Sequence, residues 1–457
     1  MMKLVILGGG VAGLSAWRRA LAAGHDVTLV EQCPRTGGLT RSMHVGGYTF
    51  DYTGHFLHLA ATAHPGLLGD GDPRNWKLVT RRAGCLVDGI VVPAPFQYHL
   101  GALPEPVRSA CIDGVRHLLP GVAPARPESA RPERGEDLLS YFIRAFGPGV
   151  TAHFLKPYNE KLLATDLARL SATRLNRFFP APDPVAVAAG LAGGEDGGGT
   201  YNATFWYPQG DGIGRLVEQL APDAPHEHAT VTAVDPDRRV VIADGRELPY
   251  THLISTIPLP DLLRACGGTR AALAARLSSS GVAAFQLGVA GPPPPLLRDL
   301  HWLYVADPSL SFFRVGCYSN VSAALAPPGC HSLYVEVGVP AEVTSGEVTS
   351  GPPTGRHFAG SPGSLPPLEG AALNDRVLAD LARAGLLDPA RVEVLLRHVI
   401  APAYVHFDFA WEQVVPAALA DLAACGIHCA GRYGRWDYVG MEDAILGAAA
   451  TVEALPG

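Results

Sequence analysis

This 457-residue chain has little charge. Asp, Glu, Lys and Arg make up 17% of it, and 43 acids outnumber 36 bases. A nucleic-acid protein shows a basic balance or a dense Lys/Arg run. Neither occurs here, because the Arg-rich stretch Arg126–Arg134 is broken by Pro and Glu and reads as a loop. No stretch approaches the ~20 apolar residues of a membrane span. The eight cysteines include no CxxC pair. The opening Met1–Leu7 runs into glycines without a signal-peptide cleavage site, so the thiols read as reduced, in a cytoplasmic protein. Cys425, His428 and Cys429 are spaced as a metal site could be, but small buried residues before a strand are the better reading, and no metal is expected. What the chain does have is apolar residue, 47% hydrophobic. That excludes global disorder, and the length suggests about two to four domains' worth of chain.

Lys3–Leu7 reads as a strand, Val11–Ala23 as a helix stopped by Gly24, and His25–Glu31 as a second strand. This β-α-β start opens a doubly wound parallel sheet. Phe96–Leu119 and Leu138–Arg177 read as mostly helical, joined by the Pro- and Arg-rich segment 120–135. Gly190–Gly199 reads as a Gly-rich loop. Thr230–Ala233 and Val240–Ile242 read as a hairpin, and His252–Thr256 as a buried strand. Phe285–Val289, Leu300–Ala306, Phe312–Ser319 and Ser332–Val339 read as strands of a second sheet. A tandem EVTSG repeat, Glu342–Gly351, leads into a Pro/Gly-rich loop. Asn374–Ala384 reads as a helix. Ile427–Ala430 is a strand, followed by a turn and a last helix from about Met441.

The expected class is α/β. A Rossmann-type dinucleotide domain takes residues 1–95, 201–283 and 401–457. A mainly helical insert takes 96–200. A second, substrate-domain sheet takes 284–400, with a loop at 342–367.

Gly8, Gly10 and Gly13 fit G-x-G-x-x-G between strand and helix, and Glu31 ends the next strand. Gly8 allows the turn, Gly10 lets a pyrophosphate approach, and Gly13 packs helix on strand. The helix N-terminus offers unpaired N–H groups to the phosphates. Glu31 suits ribose hydroxyls and repels a 2′-phosphate. Trp17 is larger than the small residue such helices usually carry. A Gly-rich turn in an ordinary α/β protein is the plainer alternative.

Gly37, Gly38 and Arg41, shortly after Glu31, resemble the second glycine pair and arginine of FAD-dependent amine oxidases, E-x(5)-GG-x(2)-R. Gly431-Arg432-Tyr433-Gly434, then Trp436, Tyr438, Gly440, Met441, Glu442 and Asp443, resemble the C-terminal FAD motif of that superfamily. There a strand, a turn and a helix N-terminus meet the flavin. The resemblance implies non-covalent FAD held by these residues, with a reduced nicotinamide nucleotide as a candidate reductant.

Three internal stretches are similar to UDP-galactopyranose mutases. They are Phe50–His58, Lys156–Ala164, and the pair Phe312-Phe313-Arg314 with Leu333–Val337. The resemblance implies that His55 lies by the flavin and Asn159 faces a nucleotide sugar. It implies that Arg314 binds a diphosphate, while Tyr304 and Tyr438 line the same cavity. Two departures stand out. The family's Trp in the YN-x(3)-W segment is Leu163. Its second phosphate-binding arginine falls on Phe178, so that either Arg177, adjacent, or Arg174, one turn earlier, replaces it, or the diphosphate clamp is missing and the substrate is another.

In that family reduced FAD attacks the anomeric carbon through N5, a nucleoside diphosphate leaves, and the sugar ring recloses at another size. An FAD-dependent oxidoreductase of amine oxidase or desaturase type uses the same fold and stays open as the alternative. In both cases the partner is a small-molecule substrate, a nucleoside diphosphate sugar for the mutase. Plainer readings remain for His55, as a structural loop histidine, and for Arg314, whose partner is a ligand anion or a protein carboxylate.

Overall fold

The computed structural model describes residues 1–69, 72–116, 132–174, 183–191, 203–222, 224–340, 349–350 and 371–456. Arg177, Phe178 and most of the 342–367 loop lie outside them.

The β-α-β start folds as its pattern predicts. Lys3–Leu7 pairs in parallel with Asp26–Glu31 on one side and His252–Ser255 on the other. Glu227–His228 and Ile427–Cys429 complete a five-stranded parallel sheet. The apolar runs of its central strands are buried on both faces, as parallel sheets require. Helix Val11–Ala22 begins directly at the glycine turn. A Cβ on Gly13 would lie 1.8 Å from the Gly8 carbonyl oxygen, so only glycine lets helix and strand approach this closely.

The second sheet has eight strands and is larger than its sequence signals. Its long antiparallel members are Ser279–Ala290, Cys330–Pro340 and Val392–Val405. Trp302–Val305 and Arg314–Cys317 continue it, and Ala83–Val87 and Ile90–Pro93 join from the N-terminal segment. The strand expected over Phe312–Ser319 is shorter: it starts at Arg314, and Tyr318–Val321 turns into a helix. Alternation therefore does not place Phe312 with Arg314. Phe312 packs into the apolar cluster with Leu287 and Val335, whereas Arg314 lines a cavity.

Between the sheets stands the helical insert: Val107–Val115, Leu138–Val150, a π turn at Thr151–Leu155, and Lys156–Leu163. It is less helical than expected. Phe96–Tyr98 and Leu100–Ala102 are short 3-10 turns, and helix Lys156–Leu163 is closed by Ala164, whose φ is 47°, with only Pro184–Leu191 helical beyond it among the described residues of the insert. The Asp137 carboxylate caps the second helix by accepting from Ser140 N at 2.9 Å. Phe96, Phe142, Phe146 and Phe154 form the insert's core with Cys111 and Val150. No helix among the described residues is long and apolar enough to cross a membrane.

Candidate active site

A cavity of 1210 Å³ opens where the glycine turn, the insert and the second sheet meet. That exceeds the ~300–1,000 Å³ of an ordinary ligand pocket and leaves room for a dinucleotide together with a substrate.

At one end lie Gly8, Gly10, Glu31, Gly37, Gly38 and Arg41. The Glu31 carboxylate accepts from Gly9 N at 2.6 Å and Cys33 N at 2.8 Å, so it is fixed at the strand end. A Cβ on Gly10 would meet nothing closer than the Gly38 Cα at 4.0 Å. The backbone there borders open space, as a phosphate cradle needs. Arg41 Nε donates to the Gly38 carbonyl at 2.8 Å, its guanidinium sits 4.7 Å from the Tyr52 ring centre, and no carboxylate pairs with it among the described residues. Gly13 stays behind the turn and does not line the cavity.

Gly431, Arg432, Tyr438, Gly440 and Met441 also line the wall, with Gly431 packed close to Ala12 of the first helix and helix Met441–Glu453 beginning at Gly440. Gly440 N donates to the Asp443 carboxylate at 2.9 Å. Glu442 behaves differently from its neighbours. It is not among the lining residues. Its carboxylate accepts from Ala60 N, Ala61 N, Thr62 N and Thr62 Oγ1 at 2.6–3.1 Å, so it holds the loop that follows His55.

His55 also lines the cavity. Its Nδ1 is 3.0 Å from the Leu39 carbonyl. A carbonyl only accepts, so Nδ1 carries the proton and Nε2 keeps a lone pair. Burial, then the charges of Arg314 and Arg432, push His55 down to about 4, and it is neutral at pH 7.

Arg314 faces Glu336 directly across the antiparallel pair. Arg314 Nη2 donates to the Glu336 carboxylate at 2.7 Å, and Nε makes a second, shorter bond. The glutamate side chain is 2% exposed and the arginine's 19%. Burial opposes the guanidinium's charge, but Glu336 holds its pKa well above the ordinary value. The protein carboxylate is thus present, and the arginine's charge is matched. A lone Arg in one apolar strand and a lone Glu in the other, within FFRV and LYVEV, were the signal for this pair.

Around the pair stand Tyr158, Tyr304, Tyr404 and Tyr438. Tyr158 meets Tyr304 edge-on at 5.5 Å, and Tyr404 stacks on Tyr438 at 5.7 Å. Burial holds the Tyr158 and Tyr404 phenols well above their ordinary pKa, so both remain hydroxyl donors. Arg432 lies 4.1 Å over the Tyr438 ring. It donates to the Val439 and Ala403 carbonyls and has no carboxylate partner among the described residues. Asn159, nearly fully buried, donates to Leu155 O at 2.7 Å, and its Oδ1 has no partner among the described residues.

Arg174, a candidate for the missing second arginine, is occupied elsewhere. It pairs with Asp437 at 3.4 Å and lies 4.5 Å over the Trp411 ring, outside the cavity lining. Arg177, the other candidate, lies outside the described residues. Residues 425–429 make no metal set: among the described residues no three His, Cys, Asp or Glu side chains converge, and His428 Nε2 instead meets His252 Nδ1 at 3.1 Å. The sequence reading also missed Tyr158, Tyr404, Glu336 and His398 as lining residues.

Comparison with known proteins agrees with this geometry. Residues 6–68 match the family described as NAD(P)-binding Rossmann-like domain. Staphylococcus aureus 4,4′-diapophytoene desaturases are 40% identical over 50 residues, 11% of this chain. The chain spans only about a tenth of the length of those curated relatives, 10%. Reduced UDP-galactopyranose mutase superposes over 99% of this chain and 95% of its own, with a TM-score of 0.83 and 25% identity. A putative protoporphyrinogen oxidase from Exiguobacterium gives a TM-score of 0.69 at 19% identity, over 99% and 98% of the two chains. A putrescine oxidase bound to putrescine gives 0.60 at 15%, again over 99% and 98%. These last two show shared fold alone.

The chain thus has the fold of reduced UDP-galactopyranose mutase, which it resembles over its whole length, and the two oxidases share that fold.

Proposed function

We propose that the chain binds FAD non-covalently and acts as a mutase on an anionic small molecule resembling a nucleotide sugar. The whole-length likeness to reduced UDP-galactopyranose mutase carries this reading. The residues present fit the cofactor. Glu31 takes the ribose, while Gly10, Gly38 and Arg41 with the first helix's N-terminus take the diphosphate. His55 and the helix start at Gly440 would hold the reactive ring. FAD bound there supplies a nucleophile at carbon when reduced, or a hydride acceptor when oxidised.

The chain's own residues do the rest. His55 offers a neutral imidazole with an acceptor nitrogen. Arg432 gives the substrate half of the cavity its positive charge, while Arg314 is neutralised by Glu336 and offers N–H donors. The tyrosine hydroxyls donate to sugar or phosphate oxygens, and Asn159 Oδ1 offers a buried acceptor. A reduced nicotinamide nucleotide in solution is the proposed reductant.

An oxidoreductase is the second reading. The bidentate Glu336 bond favours it, since a matched Arg314 selects anions less strongly than a free one.

The deciding experiment reduces the purified protein with dithionite and supplies UDP-galactopyranose and a panel of nucleoside diphosphate sugars. A mutase interconverts ring sizes only when reduced and consumes no reductant in proportion to product. Peroxide formed from the oxidised protein with a neutral or cationic substrate, together with no nucleotide binding, would replace it with the second reading.

A further inference from the structure

His398 stands in the strand Val392–Val405, opposite Ala284, and lines the cavity. It is 4% exposed, and neither ring nitrogen has a hydrogen-bond partner among the described residues. Buried polar groups left this way forfeit their water bonds, and native structures rarely leave such a group unmatched. The cavity is where a partner would come from.

Its neighbours locate it along the site. The imidazole packs against the Tyr52 ring at 4.7 Å, and the same Tyr52 ring carries the Arg41 guanidinium. Burial, helped by the Arg41 charge, holds His398 at about 4. A proton on His398 would in turn disfavour one on His55. The imidazole therefore stands near Arg41, proposed above for the diphosphate, and within electrostatic reach of His55, proposed above to lie by the ring. A neutral imidazole has one donor and one acceptor nitrogen. That pair suits hydroxyl groups, which both give and take a hydrogen bond, better than a phosphate, which only accepts. In FAD the hydroxyl-bearing segment between diphosphate and ring is the ribityl chain.

We propose that His398 is a direct hydrogen-bonding contact to the ribityl hydroxyls of bound FAD. The proposal rests on the FAD reading above and adds to it a residue outside both glycine motifs and the C-terminal motif.

The test is binding to cofactor-free protein of FAD and of ADP, which keeps the diphosphate but lacks the ribityl chain. His398→Phe keeps a ring against Tyr52 and removes both nitrogens. FAD affinity should fall roughly tenfold, and ADP affinity should not change. His398→Gln retains a donor and an acceptor and should recover most of the loss. Arg41→Gln should weaken both ligands. If the Phe ring is not tolerated in the wall, His398→Leu carries the same comparison. Equal losses for FAD and ADP in the His398 variants would overturn the proposal, since the imidazole would then act on the diphosphate through Tyr52 and Arg41. Unchanged FAD affinity would overturn it too. Wild-type protein that does not bind FAD removes the FAD reading itself, and this proposal with it.

Discussion

Arg314 and Glu336 show how much one buried pair decides. Deleting the arginine leaves a carboxylate at 2% exposure without its cation, and breaking such a pair costs about 3–5 kcal/mol. Arg314→Met should lower the melting temperature sharply, and adding Glu336→Gln should restore part of it, because two neutral groups are cheaper to bury than one charge. A double variant no more stable than the single one would mean that the pair contributes little. The histidines act at the same scale. His55, His301 and His398 are each held at about 4, chiefly by burial. Their folded values lie below the unfolded one, so their contribution is complete above pH 6.5 and is lost as the pH falls towards 4. Asp51 works the other way. Burial holds it at about 6 against 3.8, despite bonds from Ser42, Tyr207 and Ile213 N, so acid relieves it. Between pH 7 and 5 each histidine loses about 2 kcal/mol and Asp51 returns about 1 kcal/mol, both as upper bounds. Three groups outweigh one. Urea midpoints should therefore drop from pH 7 to pH 5, and a midpoint that rises would contradict the assignment.

Elements, unlike residues, are held by bonds between distant segments, and these are the least legible in sequence. Glu442 sits in the first turn of the last helix, yet its carboxylate serves loop 60–62, some 380 positions away. Glu442→Ala removes the acceptor of three backbone N–H groups at roughly 1 kcal/mol each. Amide exchange at Ala60, Ala61 and Thr62 should speed up markedly, and unchanged protection there would show that water replaces the carboxylate without loss. The β-α-β start was legible because strand, glycines, helix and acid follow one another locally, and each has its own backbone requirement. The strand Val392–Val405 was missed for the opposite reason. Glu393, Arg397 and His398 interrupt its apolar pattern, and its stability comes from Ser279–Ala290, more than 100 positions away, through a ladder with two register shifts. His398 went unnoticed with it. Arg174 looked suitable by spacing, but Asp437 and Trp411 claim it, and neither contact is local.

The whole molecule is organised around one cavity whose walls come from the parallel sheet, the helical insert and the eight-stranded sheet. A ligand filling it touches all three, so it stabilises them together. Binding to the folded state alone adds RT ln(1 + [L]/Kd), about 4 kcal/mol at a thousandfold excess over Kd. The melting temperature should therefore climb with added FAD, and the signals from all three parts should climb together. The attachment should also be reversible. A covalent link through sulfur needs a thiolate, and the two cavity-lining cysteines disfavour one. Burial raises the Cys85 thiol far above its ordinary pKa. Burial and the neighbouring Glu31 raise Cys33. Among the lining histidines, His55 has its Nδ1 on the Leu39 carbonyl and His58 has its Nδ1 on the Thr204 carbonyl. Acid precipitation should accordingly leave a yellow supernatant containing a compound of the mass of FAD and a colourless pellet. A pellet that stays yellow after washing would mean a covalent bond, and would single out His55, His58 and His398 for mapping by peptide mass.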